Sequence, residues 1–135
     1  MIKRIEHLGI AVESIETSLP IFESLLGVVC YKEEIVESEG VRTAFFRVGD
    51  SKIELLQATN EQSAIARFLQ KNKGGFHHVA FETDDIDAEL IRLEKEGFQL
   101  IHKTPKSGAD NKRIAFLHPS SSQGLLVELC QEKSS

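Results

Sequence analysis

Four residues have the types and spacing to do chemistry: His7, Glu54, His78 and Glu128. Each interrupts an otherwise apolar, strand-like run. Glu54 stands between Ile53 and Leu55, and Glu128 between Val127 and Leu129. Side chains alternate along a strand, so each carboxylate points away from its apolar neighbours. A carboxylate on such a face needs solvent, a charge partner or a metal. Two imidazoles and two carboxylates suit a borderline or hard divalent ion, with Zn, Co, Ni, Mn and Fe all chemically possible and water in the open positions. The two negative charges and such an ion cancel.

The quartet belongs to an internal repeat. Ile5-Glu6-His7-Leu8-Gly9-Ile10-Ala11-Val12 is similar to Phe76-His77-His78-Val79-Ala80-Phe81. His7 and His78 lie 71 positions apart, as do Ile15 and Ile86, and as do Ala44-Phe45-Phe46 and Ala115-Phe116-Leu117. Lys52-Ile53-Glu54-Leu55-Leu56-Gln57 matches Leu126-Val127-Glu128-Leu129-Cys130-Gln131 at an offset of 74, so the second copy holds about three extra residues in its last hairpin. Each copy is too small to bury its own apolar face, so the two are expected to pack together. Alternation lets only one of His77 and His78 share the face of His7, and the offset selects His78. His77, His102 and His118 are expected in hydrogen-bonding or solvent-facing roles.

The elements that must position these residues read as strand, helix and three strands in each copy. The first copy has a strand over 5–12 and a helix over roughly 14–26, with Ile15, Leu19, Phe22 and Leu26 as its apolar stripe. Pro20 is awkward inside that helix. Either 14–18 is a separate turn, or Pro20 sits in the first turn with Ser18 as cap. Strands follow at about 28–36, 42–48 and 51–57. The second copy has a cleaner helix, capped by Asp84 or Asp85 and apolar at Ile86, Leu90 and Leu93, then strands at about 98–103, 112–118 and 124–130. The repeats span about 4–59 and 75–131 of a single 1–135 domain. A connector at 60–74 joins them, with Ser63 capping a helix whose inner face is Ile65, Phe68 and Leu69. Helices on one face leave the other face of each sheet to be closed, and two curved sheets around a cavity would do so.

At 135 residues, the chain has the length of one domain. A hydrophobic share of 41% and a charged share of 27% support a folded core and exclude wholesale disorder. The net charge of -5 and the absence of Trp disfavour nucleic acid and anionic membrane as partners. The apolar runs are too short to span a bilayer, and the opening residues do not read as a signal peptide. Cys30 and Cys130 lack metal-like spacing and suit a reducing compartment, so a cytoplasmic location is expected.

The chain resembles the vicinal oxygen chelate proteins, and among them the methylmalonyl-CoA epimerase family. The resemblance is carried by His7-Leu8-Gly9-Ile10-Ala11-Val12, Lys52-Ile53-Glu54-Leu55-Leu56, Gly75-Phe76-His77-His78-Val79-Ala80-Phe81 and Asp84-Asp85-Ile86-Asp87. Most specific is Arg113-Ile114-Ala115-Phe116-Leu117-His118-Pro119 followed by Val127-Glu128-Leu129. It implies an α+β fold of tandem βαβββ modules with curved mixed sheets around a metal-containing cavity. It places metal ligands on His7, His78 and Glu128. The fourth falls on Glu54, where the epimerases often carry glutamine.

The implied reaction inverts the carbon between a thioester and a carboxylate through an enolate, with Glu128 as ligand and base. The family's second glutamate falls on Thr43, a poor base, so the second acid/base is left open among a water, a neighbouring acid such as Glu37 or Glu39, and a residue the sequence does not place. An acyl-CoA substrate and a homodimer are implied as well. Lys103, Lys106, Lys112, Arg113 and Arg42 could meet CoA phosphates or simply form a solvated face, and the Gly108 region could be a mobile lid. The alternatives are a glyoxalase-I-like isomerase acting on a glutathione hemithioacetal and a nonenzymatic small-molecule binding protein.

Overall fold

The computed structural model describes residues 1–134. The chain folds into two compact units: His7–His77, and Met1–Glu6 together with the chain from His78 onward. Two strands, β1 (Ile2–Ala11) and β5 (Gly75–Thr83), straddle that division.

In the unit of His7–His77, β1 leads into α1 (Ile15–Leu26), then β2 (Lys32–Val36), β3 (Val41–Val48) and β4 (Ser51–Ala58), followed by α2 (Ala64–Lys71). The strand order is β2-β3-β4-β1. β3 runs antiparallel to β2 and β4, whereas β1 and β4 are parallel. Alternation sorts the side chains. Val12, Ala44, Phe46 and Leu55 pack with Ile15, Leu19, Phe22 and Leu26 of α1. On the other face, Ala11, Val41 and Leu56 pack with Ile65, Phe68 and Leu69 of α2.

α1 starts as one helix at Ile15, and the Ser14 hydroxyl accepts the N–H of Thr17 at 3.3 Å. Pro20 lies inside it, which corrects both expected arrangements. Proline removes the donor to the Glu16 carbonyl. Glu16 and Pro20 are both exposed, so water can take that carbonyl and the helix continues. It ends at Gly27, whose φ of 72° is left-handed.

In the other unit, β5 leads into α3 (Ile86–Lys95), then β6 (Lys106–Gly108), β7 (Lys112–Leu117) and β8 (Val127–Glu132). The order β5-β8-β7-β6 matches that of the first unit, again with first and last strands parallel. Asp85 caps α3 by accepting from Ala88 N at 3.1 Å, and Ile86, Leu90 and Leu93 are buried. Ala80, Ile114 and Cys130 form a core cluster with Phe116.

The expected strand at 98–103 is absent, and only Leu100 bridges to Leu117. The N–H of Phe116 is taken by Nδ1 of His102 at 3.0 Å, so a side chain replaces the strand carbonyl there. Pro105, which cannot donate, follows before the short β6. The strand expected from residue 28 begins only at Lys32, after the left-handed Gly27 and an extended connection. No helix among the described residues is long and apolar enough to cross a membrane.

Candidate metal centre

The parallel pairing of β1 and β4 sets His7 opposite Lys52 and Gly9 opposite Glu54. Paired residues share a face, so His7 and Glu54 project from the same side of the sheet. Nε2 of His7 lies 3.1 Å from Oε2 of Glu54. The second repeat builds the same pair. β5 and β8 set Ala80 opposite Glu128, and Nε2 of His78 lies 3.1 Å from Oε1 of Glu128. All four side chains are buried, none more than 7% exposed.

Phe116, opposite Glu128 in the β7–β8 ladder, meets the His78 imidazole edge-on with centroids 5.5 Å apart. That contact restrains the ring while leaving Nε2 toward the carboxylate. In the other repeat the residue opposite Glu54 is Phe45, with the Lys32 ammonium 5.8 Å from its ring centre. In each repeat an aromatic residue thus stands opposite the glutamate on the neighbouring strand.

The donor chemistry fits a divalent ion. Two ligands each about 2.1 Å from one ion and at right angles stand ~3 Å apart, close to the spacing in both pairs. Imidazole and carboxylate together suit Zn, Co, Ni, Mn or Fe. His7, His78 and Glu128 are a set of buried donors able to hold a metal ion. Burial would make such charges costly without a counterion.

Cys130 follows Glu128 by two residues and shares its face. Burial pushes its thiol well above the ordinary range, and the nearby Glu128 carboxylate adds to the effect. It is a free thiol, as is the half-buried Cys30, whose Sγ donates to the Lys32 carbonyl.

The remaining histidines have plain structural duties. His77 stands edge-on to Phe68 at 5.0 Å, His102 accepts from Phe116 N, and His118 Nδ1 accepts from Ser120 N at 3.0 Å. Three of the cations considered for phosphate are partnered by acids. Lys112 is buried with its Nζ 2.8 Å from Glu132, while Arg113 pairs with Asp87 at 3.1 Å and Arg42 with Glu33 at 2.6 Å. Lys103 is exposed.

Gly108 sits in β6 rather than in a lid, and a Cβ there would come within 2.8 Å of Ile114 Cγ2. Thr43 is fully buried and donates its hydroxyl to the Glu34 carbonyl at 3.1 Å. Glu37 and Glu39 occupy a 3-10 turn ahead of β3. The sequence reading passed over Glu34, which shares a face with Thr43; the signal was its place in the β2 alternation.

Tandem βαβββ units with a His–Glu pair in each define a glyoxalase-like protein. Residues 6–116 match the family model of the Glyoxalase/Bleomycin resistance protein/Dioxygenase superfamily. The chain is 39% identical over 133 residues to the ethylmalonyl-CoA/methylmalonyl-CoA epimerase of Cereibacter sphaeroides, covering 97% of this chain and 99% of that one. It is 38% identical over 129 residues to the mitochondrial methylmalonyl-CoA epimerase of Homo sapiens, covering 95% and 73%. Among solved structures, a variant of Streptomyces coelicolor methylmalonyl-CoA epimerase in complex with 2-nitronate-propionyl-CoA superposes with a TM-score of 0.96 at 33% identity, over 99% of this chain and 97% of that one. The chain belongs to the vicinal oxygen chelate superfamily and, within it, to the methylmalonyl-CoA epimerase family.

Proposed function

We propose that this protein is a metal-dependent epimerase of methylmalonyl-CoA, and that His7, Glu54, His78 and Glu128 together hold its divalent ion. The observation that carries the reading is the repeated His–Glu pair, buried and spaced at 3.1 Å in both modules. Structural similarity over 99% of the chain to an epimerase solved in complex with 2-nitronate-propionyl-CoA supports the substrate class.

The reacting carbon lies between a thioester and a carboxylate, and its proton is far too weakly acidic for an unaided side chain. When bound, a divalent ion supplies positive charge where the enolate develops. Glu128 takes the α-proton through a carboxylate oxygen. His78, restrained by Phe116, keeps that carboxylate oriented. His7 and Glu54 complete the donor set from the other module. No net oxidation occurs, so the reaction needs no redox cofactor.

We further infer one vicinal oxygen chelate domain over 1–135, with repeats at about 4–59 and 75–131 and a connector at 60–74, working as a cytoplasmic homodimer. The free thiols support the compartment. Exposed Ile21, Leu25, Val28 and Val29 along and after α1 support a protein surface that a second copy covers.

The test is proton exchange in deuterated water with the metal-loaded protein. Methylmalonyl-CoA should take up deuterium at its α-carbon and change configuration, while the glutathione hemithioacetal is left unchanged. Turnover of the hemithioacetal alone would transfer the assignment to a glyoxalase. A loaded protein silent toward both would overturn the methylmalonyl-CoA assignment and point to a different substrate.

A further inference from the structure

The His78–Glu128 pair stands at the end of a chain of ring contacts, all within one compact unit. The Phe116 ring meets the His78 imidazole edge-on, with centroids 5.5 Å apart and planes at 80°. The His102 imidazole lies 5.9 Å from the same Phe116 ring, tilted by 54°. Phe116 stands opposite Glu128 in the antiparallel β7–β8 ladder. Its carbonyl accepts the N–H of Ile101 at 2.9 Å and that of His102 at 3.3 Å. An antiparallel residue sends its N–H and C=O to the same side, so Phe116 turns both away from β8 and forms a non-hydrogen-bonded pair with Glu128. In such pairs the side chains stand closest together, while the ladder makes no bond to the paired residues themselves.

We propose that His102 is a positioning residue for the candidate metal centre, acting through Phe116 to set the angle at which the His78 imidazole meets Glu128. Its Nδ1 accepts the part-buried N–H of Phe116 at 3.0 Å, and its own N–H shares the Phe116 carbonyl. A backbone N–H only donates, so Nδ1 is the bare nitrogen and the ring proton sits on Nε2. Residues 98–103 form no strand, and Nδ1 stands where a strand carbonyl would. Removing that acceptor leaves a part-buried donor unsatisfied, a cost that β7 relieves by shifting toward water. The Phe116 ring shifts with its backbone, and the edge contact that restrains His78 shifts with the ring.

The other module builds the same contact from a different residue type. Tyr31 and His102 lie 71 positions apart, as do Phe45 and Phe116. Tyr31 donates its N–H to the Phe45 carbonyl at 3.0 Å, and its ring centre lies 5.9 Å from that of Phe45. Phe45 in turn stands opposite Glu54. In each repeat, then, a second ring packs on the aromatic residue that faces the glutamate. The recurrence ties this contact to the glutamate position that both repeats share.

The first readout needs neither metal nor substrate: the His78 ring signals in the nuclear magnetic resonance spectrum of the labelled, metal-free protein. His102→Ala should shift them and speed hydrogen exchange at the Phe116 amide. Zinc affinity by equilibrium dialysis should fall about 10-fold. The kinetic arm alone rests on the epimerase reading: kcat for methylmalonyl-CoA should fall about 10-fold with KM unchanged. His102→Asn, whose Oδ1 takes the place of Nδ1, should recover most of each loss. In a Phe116→Leu background, His102→Ala should add little, because the ring that carries its effect is gone. Should His102→Ala not fold, His102→Phe removes the acceptor and keeps a ring. Unmoved His78 signals beside a lower melting temperature would overturn the proposal, since a merely structural role has that signature. So would His102→Asn as impaired as His102→Ala, or full additivity with Phe116→Leu. A wild type silent toward methylmalonyl-CoA would overturn the epimerase reading alone, because the His78 signals are read without it.

Discussion

The side-chain oxygen of Gln57, at the end of β4, accepts the backbone N–H of Ile15 at the start of α1 across 2.7 Å. Gln131 at the end of β8 makes the same bond to Ile86 of α3 across 2.9 Å. One hydrogen bond, conserved between the two modules, ties the last strand of each to its own helix. It satisfies a first-turn donor that no intrahelical carbonyl can reach. It also holds β4 and β8 in the register on which Glu54 and Glu128 depend.

Replacing Gln57 or Gln131 by Ala leaves a partly buried N–H without that partner. Each change should cost about 1–3 kcal/mol, read as a lower denaturation midpoint with an unchanged m-value. The double variant should lose roughly the sum, since the two bonds share no partners.

His7→Ala and His78→Ala each remove an imidazole donor. Metal affinity should fall by about 100-fold or more, beyond the usual loss for an outer-shell contact. Equilibrium dialysis with Zn, Co or Mn measures it. Because an ion bound only by the folded state adds stability by mass action, loading should raise the wild-type melting temperature. The same loading should leave either variant nearly unmoved.

Glu128→Gln keeps the size of the side chain and removes its basicity. Deuterium uptake at the substrate α-carbon should fall by about 100-fold to 10,000-fold. Circular dichroism should show the fold intact, because the amide retains the shape that packs near His78 and Phe116. Uptake at the wild-type rate would remove Glu128 from the proton transfer.

The Cys130 thiol is held protonated by burial and by the neighbouring Glu128 carboxylate. In the unfolded chain it ionises near its ordinary value of 9.0. Above that pH the unfolded state releases a proton that the folded state retains, so stability falls as pH rises. Cys130→Ser should flatten this alkaline limb in pH-dependent unfolding. A thiol reagent at pH 8 should label Cys30 in the native protein and reach Cys130 only after unfolding.

The βαβββ order and the His–Glu pair of each module were legible in the chain itself. Offsets of 71 and 74 paired His7 with His78 and Glu54 with Glu128, and period-two alternation turned them to the same face as their cross-strand neighbours. Helix caps at Ser63 and Asp85 followed from local chemistry. Pro20 did not, because its cost depends on whether water reaches the Glu16 carbonyl. The strand expected at 98–103 failed for a related reason: His102 takes the N–H of Phe116, a side-chain competitor that hydrophobic pattern does not register.

Local sequence thus determined which residues can bind a cation and on which strand faces they stand, because alternation and capping act over a few neighbouring residues. Tertiary structure decided which of them meet. Strand register brought Nε2 of His7 to Glu54, set Glu34 against Thr43 and paired Lys112 with Glu132, and the packing of α3 brought Asp87 to Arg113. Register is a long-range choice, made by packing whole apolar faces, so no short window of residues contains it.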